Sequence, residues 1–196
     1  MTVPLPRFAG WRHCGAREGF EVVFLEARDA GLRVEGHTAA IEDGEPFAVR
    51  YAIELDEQWR TRSARVSGQS SRGRRSIALD GDGAGGWRVD GRAAPALAGC
   101  LDVDLESSAL TNAFPVHRLA LPPGGEAEAP AAYVRALSLE VERLEQRYAR
   151  IDGGTPRRSF DYAAPAYDFR CVLVYDEAGL LLDYPGIARR AGVQRK

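Results

Sequence analysis

The chain has 196 residues, 45% hydrophobic and 28% charged side chains, and a formal net charge of −2. That length suits one domain able to bury a core without disulfide staples, and the near-neutral balance excludes a global nucleic-acid footprint. No apolar run approaches the roughly 20 residues of a membrane-spanning helix, and Cys14, Cys100 and Cys171 lie too far apart for a metal-ligand spacing.

The opening, MTVPLPRFAGWRHCG, lacks the basic start and apolar stretch of a secretory signal, so a cytoplasmic protein with reduced, mostly buried thiols is expected. Residues 1–19 read as irregular, anchored by Trp11. Glu21–Ala27, EVVFLEA, is rich in β-formers and predicts a strand. After the turn Asp29-Ala30-Gly31, an alternating run from Leu32 to Ile41 predicts a long strand. Asp43-Gly44 marks a hairpin. Phe47, Val49, Tyr51, Ile53 and Leu55 then alternate with Ala48, Arg50, Ala52 and Glu54, the clearest strand with one buried face. Asp56-Glu57-Gln58 turns the chain, and Trp59–Gln69 is polar or basic at most positions. Ser70–Arg75 predicts a turn, Ile77–Asp80 a short strand, Gly81–Gly86 a loop and Trp87–Asp90 a returning strand. Residues 21–90 thus predict a meander of about six strands, as in an antiparallel sheet, barrel or roll.

Gly91–Gly99 is a loop with room for one helical turn. Gly99–Leu119, GCLDVDLESSALTNAFPVHRL, is the least generic stretch. A Gly-Cys corner enters the alternating Leu101–Leu105, and a polar turn leads to Thr111-Asn112 and Phe114–Leu119. Pro122–Pro130 reads as a linker or excursion. Ala131–Ile151 is ambiguous. Tyr133, Leu137, Val141, Leu144 and Tyr148 fall at helical spacing, whereas Leu137, Leu139 and Val141 alternate; pattern alone favours a helix. Asp152–Pro156 is a turn, Ser159–Tyr162 a strand broken at Pro165, and Phe169–Tyr175, FRCVLVY, is strongly β. Asp176–Gly179 turns into a last strand, Leu180–Tyr184, and Pro185–Lys196 is an Arg-rich tail with room for a helical turn. With no internal repeat and no boundary, residues 1–196 are expected to form a single domain.

Several fragments in order resemble the bacterial "putative glycolipid-binding" family, formerly a domain of unknown function. They are Tyr51–Asp56 with Trp59–Arg62, Leu79-Asp80 with Trp87, and Leu97–Leu105 with Thr111-Asn112 and Pro115–Leu119. Gln146–Tyr148, Phe160–Tyr162 and Gly179–Arg189 follow. The resemblance implies a spiral β-roll, a strongly curled antiparallel sheet with few short helices, similar to bacterial lipoprotein carriers that hold acyl chains in a half-open sheet. It also makes Ala131–Ile151 strand rather than helix. Lys196 is the only lysine, as a GC-rich bacterial genome would give.

On a strand, Asp102 and Asp104 share one face, with Leu101, Val103 and Leu105 on the other. Their separation of roughly 6.5–7 Å touches the range of an inverting glycosidase pair, though any D-x-D strand has it. The pair therefore reads as solvated or Arg118-paired structural residues, as ligands for hydroxyl groups, or as an acid and base. His13, His37 and His117 are scattered and do not spell a zinc site; His117, beside Arg118 and near Thr111 and Asn112, suits the mouth of a polar pocket. Of Trp11, Trp59 and Trp87, Trp59 is the best candidate to frame a pocket, since it opens a polar strand. Arg60, Arg62, Arg65, Arg72, Arg74 and Arg75 read as a solvated face with the capacity to hold an anion. There is no phosphate-cradling loop and no nucleophile elbow.

The leading expectation is a non-enzymatic protein holding a lipid or glycolipid in the groove of a curled sheet, with Tyr51 and Ile53 on its apolar wall. Trp59, Asp102, Asp104, Asn112, His117 and Arg118 are the expected ligand-binding residues, with no cofactor, no metal and no nucleic-acid partner. The alternatives are a hydrolase acting on a sugar or lipid conjugate through Asp102 and Asp104, and a structural or interaction module.

Overall fold

The computed structural model describes residues 3–151 and 157–192. The chain is mostly β. It opens as an antiparallel meander of β1 (Phe8–His13), β2 (Arg17–Arg28), β3 (Gly31–Glu42), β4 (Glu45–Leu55), β5 (Thr61–Ser70), β6 (Gly73–Gly81), β7 (Trp87–Val89) and β8 (Arg92–Ala93). β9 (Asp102–Leu105) follows, then a 3-10 turn at Leu110–Asn112 and a short helix, α1 (Ala113–Leu119). The remaining strands are β10 (Glu126–Glu128), β11 (Ala131–Val134), β12 (Val141–Leu144), β13 (Arg147–Ile151), β14 (Arg158–Ala164), β15 (Phe169–Tyr175), β16 (Leu181–Tyr184) and β17 (Ala188–Arg190). Fourteen strands form one antiparallel sheet in the order β10-β13-β14-β15-β16-β17-β1-β2-β3-β4-β5-β6-β7-β8. β12, β11 and β9 form a second sheet, in which β11 runs parallel to β9.

The expected strands from β2 to β7 are present, and the alternation along β4 sends Phe47, Val49, Tyr51, Ile53 and Leu55 inward. Three expectations are corrected. The opening is strand β1, not irregular, because both its edges find partners: β2 and β17. The tail contributes β17 rather than a helical turn. β6 extends well before Ile77, pairing Gly73–Ser76 with β5 across a tight hairpin. Ala131–Ile151 is three strands, as the family resemblance implies and against the helix that pattern alone favours; the helical spacing of its apolar residues is produced by a reversal between β11 and β12. There Arg135 N–H donates to Glu140 O at 2.9 Å, and Leu139 takes a left-handed φ of 55°. The turn expected at Asp152–Pro156 lies outside the described residues. Among the described residues no helix is long and apolar enough to cross a membrane.

The segment from Cys100 to Val116 is the centre of the core. Cys100, Val103, Leu105, Leu110, Phe114 and Val116 are each no more than 2% exposed. Strands far apart in the sheet order bond to this one segment. Thr38 of β3 donates to Ser107 O at 2.8 Å, and Thr61 of β5 accepts from Val103 N–H at 3.0 Å. Tyr148 of β13 and Tyr175 of β15 donate to the side chain and backbone carbonyl of Asn112, both at 3.1 Å. Glu21 of β2, fully buried, accepts from Tyr51 Oη at 2.5 Å, from Ser108 Oγ and from Ala109 N–H at 2.8 Å. Burial holds its carboxyl above the usual range against those bonds. Tyr51 reaches Glu21 across Gly36, where a Cβ would sit 2.0 Å from the phenol ring.

Candidate ligand-binding site

At one end of the strands a cleft of about 290 Å³ opens between the two sheets. β9 contributes Asp104, β11 Tyr133, the start of β2 Arg17, and β14 and β16 the rings of Tyr162 and Tyr184. Asp104 is buried because all four positions of β9 are covered. Its two oxygens accept from Thr111 Oγ1 at 2.7 Å and Gln146 Nε2 at 2.6 Å. Burial outweighs these bonds and pushes the carboxyl up to about 6, with the Asp102 and Glu106 charges adding to the push.

Aromatic rings make the walls. Tyr162, Phe169 and Tyr184 meet edge to face with centroids 5.9–6.2 Å apart, the arrangement favoured by ring quadrupoles. Tyr133 and Tyr167 stand 5.9 Å apart, and the Arg135 guanidinium lies 5.8 Å from each ring centroid. Burial first, and then neighbouring charges including Asp104, hold the Tyr133, Tyr162 and Tyr184 phenols protonated above their ordinary range. Arg17, 5% exposed, donates from Nη1 to Glu106 O at 2.6 Å and places Nε 3.3 Å from the Glu42 carboxylate. The cleft thus offers flat apolar faces, neutral hydroxyl groups, a carboxyl that ionises near pH 6 and a fixed cation. Such a set can cover the C–H face of a ring and pair with its hydroxyls.

Of the six expected site residues, Asp104 and Asn112 line this cleft and the other four lie outside its lining. Asp102, 2% exposed, is held by Arg118, whose Nε lies 3.0 Å from Oδ1 and Nη2 2.5 Å from Oδ2. Burial raises the Asp102 carboxyl, and Arg118 opposes the rise. The solvated reading of the Asp face is therefore replaced by a covered one, and the two carboxyls do not share one opening as an acid–base pair would. Trp59 takes a left-handed φ of 64° and stacks on His117, with ring centroids 3.7 Å apart and planes within 2°. Burial and then the Arg158 charge lower the His117 imidazole to about 4, so it is neutral at pH 7. The stack pins α1 to the turn after β4. Tyr51 and Ile53, expected on a groove wall, are 1% and 0% exposed beneath the central segment. Arg60 and Arg65 pair with Asp56 and Asp80 at 2.9 and 2.6 Å.

Arg17, Tyr133, Gln146, Tyr162, Phe169 and Tyr184 are not among the residues that the sequence predicts for a site. One signal was available: six of the seven tyrosines follow residue 130, more than a small C-terminal core requires.

No curated protein matches the chain. A crystal structure of a DUF1089-family protein from Pseudomonas aeruginosa is similar, at 36% identity and a TM-score of 0.76, over 87% of this chain and 91% of that one. A family model described as "putative glycolipid-binding" matches residues 9–190, a span that includes all but the first residue of the two sheets and every cleft residue named above, and the chain belongs to that family.

Proposed function

We propose that the protein binds the sugar head group of an amphiphile in the cleft beside Asp104. The observation that carries this reading is a carboxyl, neutral phenols and an arginine converging between aromatic rings. About 290 Å³ is at the small end of ligand pockets, enough for a head group and short of a whole lipid. Hydrogen bonds support a further part of this reading, in which the large sheet curls around Cys100–Val116. Tyr51 and Tyr148 belong to strands eight places apart in the sheet order, roughly 38 Å if flat. They nevertheless bond to Ser108 and Asn112, only four residues apart. In this reading the chain's own segment fills the interior that an acyl chain occupies in an open roll, so the ligand's tail stays outside.

The test begins with native mass spectrometry of the purified protein, followed by solvent extraction and calorimetric titration with a short-chain alkyl glycoside. The expected result is saturable binding, weakened at least tenfold by Tyr184→Ala and by Asp104→Asn. Binding that survives both substitutions in folded protein, or a retained amphiphile without a sugar, would overturn the assignment.

A further inference from the structure

The outward face of the meander is not used by the cleft. Cross-strand register sorts its side chains into rows. Phe8 stands opposite Phe24, and they are 68% and 56% exposed. The next row holds Gly10, Val22, His37 and Arg50; the one after holds Arg12, Phe20, Ala39, Ala48, Gln69 and Arg74. Phe20 and Val22 are 42% and 36% exposed. Together the rows cover roughly 14 by 24 Å, and a shallow groove of about 780 Å³ runs along the last two.

The charges on this face are one-sided. Neither of the last two rows contains Asp or Glu across the paired strands β1 to β6. Arg12 and Arg50 have no ion-pair partner among the described residues, and Arg74 donates only to Gln69, at 3.2 Å. Of the acids in the flanking rows, Arg33 holds Glu35 at 2.5 Å and also pairs with Glu54, and Arg65 holds Asp80 at 2.6 Å, which leaves Glu18, two residues before Phe20 on β2, as an exposed carboxylate without an ion-pair partner among the described residues. Exposed aromatic and aliphatic side chains are thus framed by an excess of cations, Arg12, Arg50 and Arg74 against Glu18, with Glu35 within electrostatic reach of Arg50.

We infer that this face docks on the surface of an anionic phospholipid bilayer. The phenylalanines sink to the level of the head groups and the arginines meet the phosphates, which attract basic side chains near the surface. Charge complementarity selects this occupant over a second copy of the chain. A two-fold contact about an axis along the strands would set each row against itself, bringing cation to cation.

The experiment is cosedimentation of the full chain with vesicles of equal parts phosphatidylcholine and phosphatidylglycerol, and with phosphatidylcholine alone. The chain should pellet with the first and not the second, and added salt should release it. Arg12→Ala and Arg50→Ala should each weaken binding about fivefold. Phe8→Ser with Phe24→Ser should abolish it while circular dichroism and melting temperature stay those of a folded protein. Tyr184→Ala, a cleft variant, should pellet like the parent, which keeps this result separate from the head-group assignment. The inference is overturned by a chain that stays in the supernatant with both vesicles, by variants that pellet undiminished, or by a dimer in solution that the Phe variant converts to monomer.

Discussion

Asp104 concentrates the chemistry of the cleft in one residue. Its carboxyl titrates near 6 because burial opposes the charge more strongly than Thr111 and Gln146 support it. In an unfolded chain the same group titrates near 3.8. The folded state therefore binds the proton more tightly, and that contribution to stability is present below about pH 3.8 and lost as pH rises through 6. Asp104→Asn removes the titration and keeps the shape, since the Gln146 amide can turn to present its oxygen. Relative to this variant, the parent should gain about 2 kcal/mol of stability as pH falls from 7 to 4. Urea denaturation of both proteins across that range measures the difference, and a constant difference would place Asp104 in a far more solvated setting. A ligand that uses the carboxylate as an acceptor should bind more tightly on the alkaline side of the same transition.

At the level of elements, the segment from Ser107 to Asn112 is held by side chains rather than by a sheet ladder. Glu21 receives Tyr51, Ser108 and the Ala109 amide, three donors buried together. Glu21→Leu leaves the Ala109 amide and one of the two hydroxyls without an acceptor, the other keeping the Tyr51–Ser108 bond at 3.1 Å, at about 1–3 kcal/mol for each orphaned group, so a loss of at least about 2 kcal/mol is expected. Glu21→Gln keeps an oxygen for the amide, and the two hydroxyls can rotate to accept, so it should remain within about 1 kcal/mol of the parent. Equal losses in denaturant titrations of the two variants would mean that side-chain volume, not bonding, organises the segment. This element also marks where the sequence stopped being legible. Period-two alternation exposed β3 and β4 because each has one wet and one dry face. β9 is dry on both faces, so Asp102-Val103-Asp104-Leu105 alternates without indicating what covers the acids. Arg118 comes from α1 and Gln146 from the stretch before β13, pairings set by tertiary contact and invisible to local pattern. Asp104 and Asn112 could be named from the polar pattern of Gly99–Leu119. The tyrosines could not be placed beside them until β14 and β16 were seen to end at the same opening.

At the scale of the molecule, the large sheet is two runs of strands joined at one seam. β2 to β8 form one run and β16 back through β13 to β10 the other, and the β1–β17 pairing connects them. The seam is tight. Cys14 and Ala16 amides donate to Ile187 and Gly186 carbonyls at 3.0 and 3.2 Å, and a Cβ on Gly15 would lie 2.3 Å from the Gly186 oxygen. Trp11, fully buried, donates from its indole to Leu181 O at 2.8 Å, tying β1 to β16 across β17. The cleft draws Arg17 from one run and Tyr162 and Tyr184 from the other, so its shape depends on this seam. If the seam makes the whole chain one cooperative unit, two probes must report one transition. Tryptophan fluorescence reads Trp59 and Trp87 on the first run and Trp11 at the seam, and near-ultraviolet dichroism is weighted toward the tyrosines of the second. The two melting curves should coincide in the parent. Ala188→Asp, at a position with no exposure, buries an unpaired carboxylate in the seam. A cost of about 3 kcal/mol should lower the melting temperature by roughly 6–12 °C in a chain this size, with both probes moving together. Curves that separate in the parent would divide the sheet into two units and leave the cleft as an interface between them. Curves that separate only in the variant would identify β1–β17 as the contact through which the cleft is assembled.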